Sequence, residues 1–541
     1  VSQRTRKVED INAASLGGTV KLTVDDENVR VPMGTTILEG ARLAGVRIPT
    51  LCHHEDLCLA GVCRVCVVEV EGQRTLQAAC SFPLFDTTVV KTSSPRVRRA
   101  RRNIIQLLLR NHYGECYSCK KNGNCELQDL AEEYGVTEYK FGHIEKPRYK
   151  VDQSSYSVVR DMDKCILCKR CVRSCIDLQE VGVLEASYRG AKTKITTFRD
   201  EPMSDVVCIN CGQCINRCPT GALRENDDTD VVWEAIDDPG KHVVIQTAPS
   251  PRAAIGEEFG LPPGTCVTKK LNTALKRMGF DKVFDTNFTA DLTIMEEGTE
   301  LLLRLKKAIV EKDASVALPL MTSCSPGWVK FIEHFYPEKL AHVSTAKSPQ
   351  QMFGAVVKTW YTKRNNIDPS KLVSISLMPC TAKKFECERP EMESSGYKDV
   401  DYALTTRELA KMIKEAGLDL PNLPESEFDD PLGIGSGAAL IFGATGGVME
   451  AAIRTAYEIV TGEPVPFKDL CIEPLRGMEG IRKAELPIKR ALPEWKFLEG
   501  VVLKVMVGHG TANAKKILEM LSAGELKDYH FIEIMACPGG C

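Results

Sequence analysis

The amino-acid sequence predicts a multidomain protein that combines small α+β modules in its first half with an α/β domain in its second half. Residues 19–52 contain two alternating apolar and polar runs, typical of strands, followed by a helical pattern that begins near Thr36. Most of the 23 cysteines fall in regularly spaced groups before residue 220. After about residue 240, apolar strand-like runs each end in a polar or cysteine-bearing loop, which is typical of an α/β domain with its chemistry at the strand ends.

The composition argues against several functional classes. The net charge is −3, so there is no general basic field that would attract nucleic acid. We find no apolar run of about 18 residues and no secretory signal, and therefore expect a cytoplasmic protein without a membrane segment. In a reducing compartment, cysteines more often bind metals or carry out redox chemistry than form disulfides.

The first cysteine group follows the predicted strands and helix. Cys52, Cys63, Cys66 and Cys80 are spaced C-x10-C-x2-C-x13-C, an arrangement similar in kind to plant-type ferredoxins although the spacings differ. We predict a β-grasp domain at residues 19–95 that binds one [2Fe–2S] cluster, preceded by an N-terminal extension at residues 1–18.

The second group follows a basic amphipathic segment, residues 96–111, which we expect to be a helix with a solvated cationic face over an Ile/Leu stripe. The group has the spacing H-x3-C-x2-C-x5-C and consists of His112, Cys116, Cys119 and Cys125. We predict that residues 96–148 form a [4Fe–4S] domain with one histidine and three cysteine ligands, in which the imidazole ligand raises the reduction potential. Structural zinc is the alternative for this ligand set.

The third group is a duplicated C-x2-C-x2-C-x3-C pattern, in which the fourth cysteine of each run is expected to bind the other cluster. One [4Fe–4S] cluster is therefore assigned to Cys165, Cys168, Cys171 and Cys218, and the other to Cys208, Cys211, Cys214 and Cys175. Residues 149–235 are predicted to form a two-cluster ferredoxin-like domain. Zinc sites usually have two CxxC pairs and a long spacer, so this pattern does not favour zinc.

Four more cysteines lie in loops after apolar runs of the α/β domain, residues 236–541. They are Cys324 in "MTSCSPGW", Cys380 in "MPCTAKKFE", and Cys537 and Cys541 in "MACPGGC". Ligands that converge from distant parts of a chain are typical of an active-site cluster.

These three loops resemble the signature motifs of the [FeFe]-hydrogenases. The segments "FTADLTIMEEGTE", "STAKSPQQMFG" and "IFGATGGVMEAA" also resemble the intervening parts of that family. The resemblance extends over roughly residues 20–541, and the N-terminal half is also similar to the electron-entry subunit of complex I and of related NAD-linked dehydrogenases. The last domain is accordingly expected to be an α/β H-cluster domain.

The resemblance implies a hydrogenase that catalyses H2 ⇌ 2H⁺ + 2e⁻ at an H-cluster, a [4Fe–4S] cubane joined to a two-iron unit that carries CO, cyanide and azadithiolate. It implies that Cys541 joins the two parts and that Cys380 and Cys537 bind the cubane. Lys383 would hold an iron-bound cyanide. The same pocket would be lined by Ser250, Gln350, Met378 and Met535.

The resemblance also implies a proton route from Cys324 through Glu297, Ser344 and Glu300. Independently of it, Glu297 and Glu300 are at i and i+3 of a predicted helix and therefore on one face. Arg304, one turn further along, is expected to end the route at the surface.

Two features depart from the family pattern. The family has two adjacent cysteines in its first motif, the second of which binds the cubane, whereas this chain has Cys324 followed by Ser325. Either Ser325 occupies the ligand position, as a harder donor than thiolate, or Cys324 becomes the ligand and the proton carrier is lost. A third possibility is a subfamily variant or an introduced substitution at this position. The sequence also ends at Cys541 within a motif that continues in the family, so we expect the natural chain to be longer.

The predicted function is the hydrogen-activating subunit of a hetero-oligomer, in which four N-terminal clusters pass electrons to flavin- and NAD(P)-binding subunits, to ferredoxin, or to both. The glycine-rich run at residues 433–447 lacks the context of a dinucleotide-binding site, so any nicotinamide is expected on a partner. The alternatives are a stand-alone ferredoxin-linked hydrogenase and a non-enzymatic H2 sensor or iron–sulfur scaffold.

Overall fold

The computed structural model describes residues 18–112, 114–137, 141, 148–442, 446–466, 473–474 and 480–539. The chain divides into two compact units. The first comprises Val1–Cys208 with Gln213–Glu225, and the second comprises Ile209–Gly212 with Asn226–Cys541. The predicted N-terminal extension, apart from residue 18, and the predicted joining cysteine Cys541 lie outside the described residues.

The first unit begins with a five-stranded sheet and one helix. The strands are β1 (Thr19–Val24), β2 (Glu27–Pro32), β3 (Val67–Val70), β4 (Gln77–Ala78) and β5 (Thr88–Lys91), in the order β2-β1-β5-β3-β4, and helix α1 spans Ile37–Leu43. Asp25 and Asp26 both have positive φ and join β1 to β2 in a tight turn. Thr36 caps α1 and forms a capping box with Glu39. The helix buries Ile37 against this sheet.

The rest of the first unit is built from short elements. They are α2 (Pro95–Asn111), α3 (Glu126–Glu133), β6 (Val158–Arg160), α4 (Arg170–Arg173), β7 (Glu185–Ser187), β8 (Lys194–Thr196), α5 (Gln213–Asn216) and β9 (Leu223–Glu225), with β6 paired to β9 and β7 to β8. The predicted basic helix is α2, but its cationic face is not wholly solvated. Arg101 is buried and donates to the carbonyl oxygen of Val67 and the hydroxyl of Tyr134, because β3 and the turn after α3 cover this side of the helix.

The second unit contains two sheets. The first is parallel, with the order β11-β10-β13-β14, and consists of β10 (His242–Thr247), β11 (Lys282–Asp285), β13 (Leu372–Met378) and β14 (Tyr402–Thr405). The second has the order β12-β18-β17-β16-β15 and consists of β12 (Leu320–Met321), β15 (Glu473–Pro474), β16 (Ile481–Pro487), β17 (Val502–His509) and β18 (Phe531–Met535). Strands β12, β18 and β17 are parallel, which brings the ends of the sequence-predicted strands to one edge of each sheet.

Helices surround these sheets. They are α6 (Thr229–Asp237), α7 (Pro249–Ala254), α8 (Thr268–Met278), α9 (Asn287–Lys306), α10 (Pro326–Phe335), α11 (Pro349–Val356), α12 (Thr362–Asn365), α13 (Ala382–Cys387), α14 (Thr406–Glu415), α15 (Gly437–Ile441), α16 (Gly447–Thr461) and α17 (Thr511–Ser522). The long helix α9 packs against α11 and α16 and carries Glu297 on a buried face. Across the described residues, no helix is both long and apolar enough to cross a membrane.

Candidate active site and iron–sulfur sites

Loops from both sheets of the second unit line one cavity of about 100 Å³. The loops follow β10, β12 and β13, and the end of β18 completes the wall, as expected for a site at the carboxyl ends of parallel strands. Most of the wall is Ala, Pro, Met and Phe. The sequence-predicted residues that line it are Ser250, Cys324, Ser325, Gln350, Met378, Cys380, Lys383 and Met535.

Hydrogen bonds join the three motif loops to one another. The hydroxyl of Ser325 accepts the backbone N–H of Ala536 at 3.2 Å, and Nζ of Lys383 donates to the carbonyl oxygen of Cys324 at 3.0 Å. The side chain of Cys324 is buried with Val448 and Met535. Cys537 follows β18 and is half-buried. The first and third motifs, and the first and second, are therefore held together by direct contacts.

Lys383 is a fully buried cation with a buried carboxylate beside it. Its Nζ contacts both oxygens of Glu386, at 3.1 and 2.9 Å. Burial alone would lower the pKa of Lys383, but the Glu386 carboxylate outweighs this and raises it, so the side chain stays charged. Sequence reasoning missed Glu386, although its i+3 spacing from Lys383 on a helix was a usable signal.

Gln350 is fixed by four partners around the same carboxylate. Its amide nitrogen donates to Glu386 at 3.0 Å, to the carbonyl of Lys383 at 3.3 Å and to the thiol of Cys387 at 3.3 Å. Its oxygen accepts the hydroxyl of Ser376 at 2.9 Å. Gln350 is therefore presented to the cavity in one orientation.

The sequence-predicted proton-route residues Glu297, Ser344, Glu300 and Arg304 take part in two separate groups of hydrogen bonds, one around Glu297 and one around Glu300. Oε1 of Glu297 accepts both the backbone N–H and the hydroxyl of Ser323, each at 3.3 Å. Ser344 donates to Glu300 at 2.8 Å, and Arg304 donates to the other oxygen of Glu300 at 2.7 Å. Glu300 and Arg304 line a groove of about 680 Å³, so these two side chains reach the protein surface.

Glu297 has the properties of a group that exchanges protons. Burial raises the pKa of its carboxyl from 4.5 to about 7, while the hydrogen bonds from Ser323 and the nearby Ser344 hydroxyl act in the opposite direction. Among the described residues, Oε2 of Glu297 has no hydrogen-bond partner, which is rare for a buried carboxylate oxygen and typical of functional groups. Ser323 was not predicted, because a serine between threonine and cysteine has no distinctive pattern.

A second buried carboxylate supports the wall of the cavity. Glu533 on β18 accepts the backbone N–H groups of Gly446 and Met449 at 2.9 and 2.7 Å. Burial raises its pKa to about 7. It holds the start of α16 and thereby places Val448 against Cys324. Within the apolar run "FIEIM" this residue gave no sequence signal.

The first cysteine group of the first unit converges. Cys52, Cys63, Cys66 and Cys80 are all buried, and the sulfurs of Cys66 and Cys80 are 3.4 Å apart. Contacts with Cys63 and Cys80 lower the pKa of the Cys52 thiol, and the pKa values of Cys63 and Cys80 rise because their thiolates would face Cys52. Four buried thiolates require cations to balance their charge, so this set fits the iron of a [2Fe–2S] cluster.

The second ligand group, His112 with Cys116, Cys119 and Cys125, also lies in the first unit. Nδ1 of the buried His112 is 3.0 Å from the carbonyl of Lys164, which assigns the lone pair to Nε2 as in metal-ligating histidines. Burial raises the pKa of Cys125, and the charges of Cys119 and Cys116 add to this.

In the duplicated pattern, burial raises the pKa of Cys171, with further contributions from Cys168, Cys165, Cys218 and Cys214. The first three of these four neighbours are the crossed set that the spacing predicts. Burial likewise raises the pKa of Cys214, with contributions from Cys208 and Cys175 among its neighbours. Within the described residues, no three His, Cys, Asp or Glu side chains are arranged to hold a single metal ion. The cysteine groups of the first unit are instead suited to clusters that contain several iron atoms, each bound by its own thiolates.

The second half of the chain matches a known enzyme family. Residues 241–541 match "Iron only hydrogenase large subunit, C-terminal domain". The chain belongs to the [FeFe]-hydrogenase family and is a hydrogenase, an iron–sulfur oxidoreductase that acts on hydrogen. The predicted family and enzyme class are therefore confirmed.

Three further matches cover the first half. They are a "2Fe-2S iron-sulfur cluster binding domain" at residues 17–95, an "NADH-ubiquinone oxidoreductase-G iron-sulfur binding region" at 101–140, and an "NADH-quinone oxidoreductase subunit 3, ferredoxin-like domain" at 156–224. Together with the hydrogenase domain they support a [2Fe–2S] cluster, [4Fe–4S] clusters and the H-cluster in this chain.

Two named proteins and one solved structure are similar to this chain. The chain is 50% identical over 525 residues to the NADP-reducing hydrogenase subunit HndD of Solidesulfovibrio fructosivorans, a match that covers 96% of this chain and 87% of that protein. It is 42% identical over 510 residues to iron hydrogenase 1 of Clostridium pasteurianum, covering 94% and 85%. The solved structure of a variant of apo [FeFe]-hydrogenase HydA1 from Chlamydomonas reinhardtii is 42% identical with a TM-score of 0.52, covering 58% of this chain and 83% of that one.

Proposed function

We propose that this chain is the hydrogen-activating subunit of an NAD(P)-linked hetero-oligomer. The observation that carries the proposal is the pairing of a hydrogenase domain with two iron–sulfur regions that match subunits of NADH-linked complexes, at 101–140 and 156–224. The 50% identical relative named as an NADP-reducing hydrogenase subunit supports it. Electrons released at the catalytic domain would pass through the first unit to a partner that binds flavin and nicotinamide, or to ferredoxin, in the cytoplasm.

The proposed relay has one [2Fe–2S] and three [4Fe–4S] clusters in domains bounded at residues 19–95, 96–148 and 149–235, ahead of the catalytic domain at 236–541. The convergence of the thiols around Cys52 and Cys171 supports these ligand sets. The Nδ1 contact of His112 supports an imidazole ligand in the second domain.

The cavity fits the two-iron part of the H-cluster. Its wall is mainly apolar, and its polar groups include Ser250, Gln350 and the Lys383 ammonium, which suits a compact cofactor with small anionic ligands. When bound, that cofactor supplies the open iron position and the basic amine at which H2 is split. Cys380 and Cys537, with Cys541, would hold the cubane. The Lys383 ammonium has three N–H donors. One donates to the carbonyl of Cys324 and one is shared by the two Glu386 oxygens, so the third would be left to donate to an iron-bound cyanide.

The chain's own residues would move the proton. Cys324 lines the cavity, and we assign it the first proton transfer, with Ser325 in the ligand position beside Ala536. Glu297 receives the proton, and Ser344 passes it to Glu300, where Arg304 stabilises the carboxylate at the groove. With a pKa of about 7, Glu297 can accept and release a proton at neutral pH without a large free-energy cost.

The proposal is tested by anaerobic purification of the protein with its co-expressed neighbours, followed by assays of H2-dependent reduction of NAD⁺, NADP⁺ and ferredoxin. We expect nicotinamide reduction by the complex and none by the isolated chain, which should reduce only a dye such as methyl viologen. Direct reduction of ferredoxin by the isolated chain, with no co-purifying partner, would instead favour a stand-alone ferredoxin-linked hydrogenase.

A further inference from the structure

Three buried arginines of the first unit hold the loop at residues 52–58, which begins at the first proposed [2Fe–2S] ligand. Nη2 of Arg170 donates to the carbonyl of His53 at 2.7 Å, and Nη2 of Arg217 donates to the carboxylate of Asp56 at 2.7 Å. Arg173 donates to the carbonyl oxygens of both Cys52 and Cys58. The loop is thus tied to the segment that carries the proposed cubane ligands.

The three guanidinium groups differ in how their charge is balanced. Arg170 forms a two-pronged ion pair with Glu126, with contacts of 2.6 and 2.9 Å, and Arg217 is paired with Asp56. Arg173 contacts three carbonyl oxygens, the third being that of Lys169 at 3.3 Å, and the thiol of Cys58, which donates to the Asp177 carboxylate at 2.9 Å. Among the described residues, Arg173 has no carboxylate within ion-pair distance, although it is only 8% exposed.

The position of this unbalanced charge matters for electron transfer. Arg173 lies in the chain between Cys171 and Cys175, each a proposed cubane ligand, and its guanidinium bonds the peptide carbonyl of Cys52. Only the atoms of one residue separate that carbonyl from the proposed ligand sulfur. In a buried site a full charge at this range acts through a low effective dielectric, so solvent screens it weakly.

We propose that Arg173 raises the reduction potential of the [2Fe–2S] cluster and so makes it an electron acceptor for the neighbouring cubane. Reduction adds one electron to the cluster, received from that cubane, without any bond or proton changing, and leaves the site one charge more negative. An unpaired cation stabilises the reduced form more than the oxidised form. The inference rests on the proposed ligand set Cys52, Cys63, Cys66 and Cys80.

The test is an EPR-monitored redox titration of the anaerobic, cluster-loaded protein. In Arg173→Gln the midpoint potential of the [2Fe–2S] signal is expected to fall by the equivalent of about a tenfold change in the reduction equilibrium, roughly 59 mV for one electron. Arg173→Lys keeps the charge and should keep the potential. Arg99→Gln removes an exposed charge from the same unit and should leave the potential unchanged because water screens that site.

A second variant tests the charge argument while the hydrogen bonds of Arg173 to Cys52 and Cys58 stay in place. Glu126 is largely exposed, so Glu126→Gln should fold, and it leaves Arg170 as a second unpaired cation against His53. The potential should then rise. An unchanged potential in both Arg173→Gln and Glu126→Gln would overturn the proposal, as would an equal fall in Arg173→Lys, which would assign the effect to the two-pronged bonding. Absence of a [2Fe–2S] signal from the unaltered protein would instead contradict the proposed ligand set.

Discussion

Replacing Glu297 by glutamine removes one ionisable group from the proposed proton route and changes little else. Gln keeps the volume and the oxygen that accepts from Ser323 at 3.3 Å. Moving the carboxyl pKa from 4.5 to about 7 by burial corresponds to roughly 3 kcal/mol. This is the cost of holding the ionised form in the folded protein, and the variant does not incur it.

The catalytic consequence should be large and the structural one small. A positioned proton-transfer group is worth about a hundred- to ten-thousandfold in rate, so both H2 uptake and H2 evolution with methyl viologen should fall by that factor in Glu297→Gln. In the unaltered enzyme, H2 evolution requires the protonated carboxyl and should decline as the pH rises above about 7. The variant should lose this limb of the pH profile.

A matched control is Glu296→Gln on the same helix, where the side chain is exposed; its rates should equal those of the unaltered enzyme. Thermal unfolding should show Glu297→Gln to be at least as stable, with its advantage largest above about pH 7, where the native carboxyl is ionised. A turnover rate within about twofold of that of the unaltered enzyme, with intact clusters, would refute the role of Glu297. The expected loss is about a hundredfold or more.

Three further outcomes are expected. Lys383→Met leaves the Glu386 carboxylate buried without its cation and should lower the free energy of unfolding by about 3–5 kcal/mol; a loss below about 1 kcal/mol in chemical denaturation would contradict a buried ion pair. Glu533→Gln replaces one acceptor of the α16 N–H groups by a donor and should cost about 1–3 kcal/mol. Because burial raises the Glu533 pKa to about 7, its stabilising contribution is complete below the unfolded value and declines as the pH rises through 7. The loss in free energy of unfolding caused by Glu533→Gln should therefore become smaller between about pH 5 and pH 8. A loss that becomes larger over this range would contradict the role of Glu533. Ser325→Cys should keep the cluster and shift the cubane potential, since thiolate is the softer donor, whereas an unchanged potential would argue against Ser325 as a ligand.

Regular spacing made much of this protein predictable. The C-x2-C-x2-C-x3-C runs imply a crossed ligand pattern, and the neighbours of Cys171 in the structure include Cys218 from the other run. The strand-like runs ending before Cys324 and Cys380 correctly indicated strands followed by site loops, and the i, i+3 spacing of Glu297 and Glu300 placed both on α9.

Other features depend on contacts between distant residues and leave no local pattern. Arg101 was expected on a solvated face, but β3 supplies a carbonyl that only the folded chain brings close. Glu533 lies in a run that reads as wholly apolar because its partners are backbone N–H groups more than eighty residues away in the chain. The unbalanced charge of Arg173 could not be predicted either, since it depends on which arginines find carboxylates.

Infrared spectroscopy of the anaerobically matured protein tests the central claim most directly, namely that the cavity between Cys324, Cys380 and Met535 holds the two-iron unit of an H-cluster. We predict sharp CO and cyanide bands that change on exposure to H2, and altered cyanide bands in Lys383→Met. Absence of these bands from protein whose relay clusters are fully loaded with iron would contradict the account.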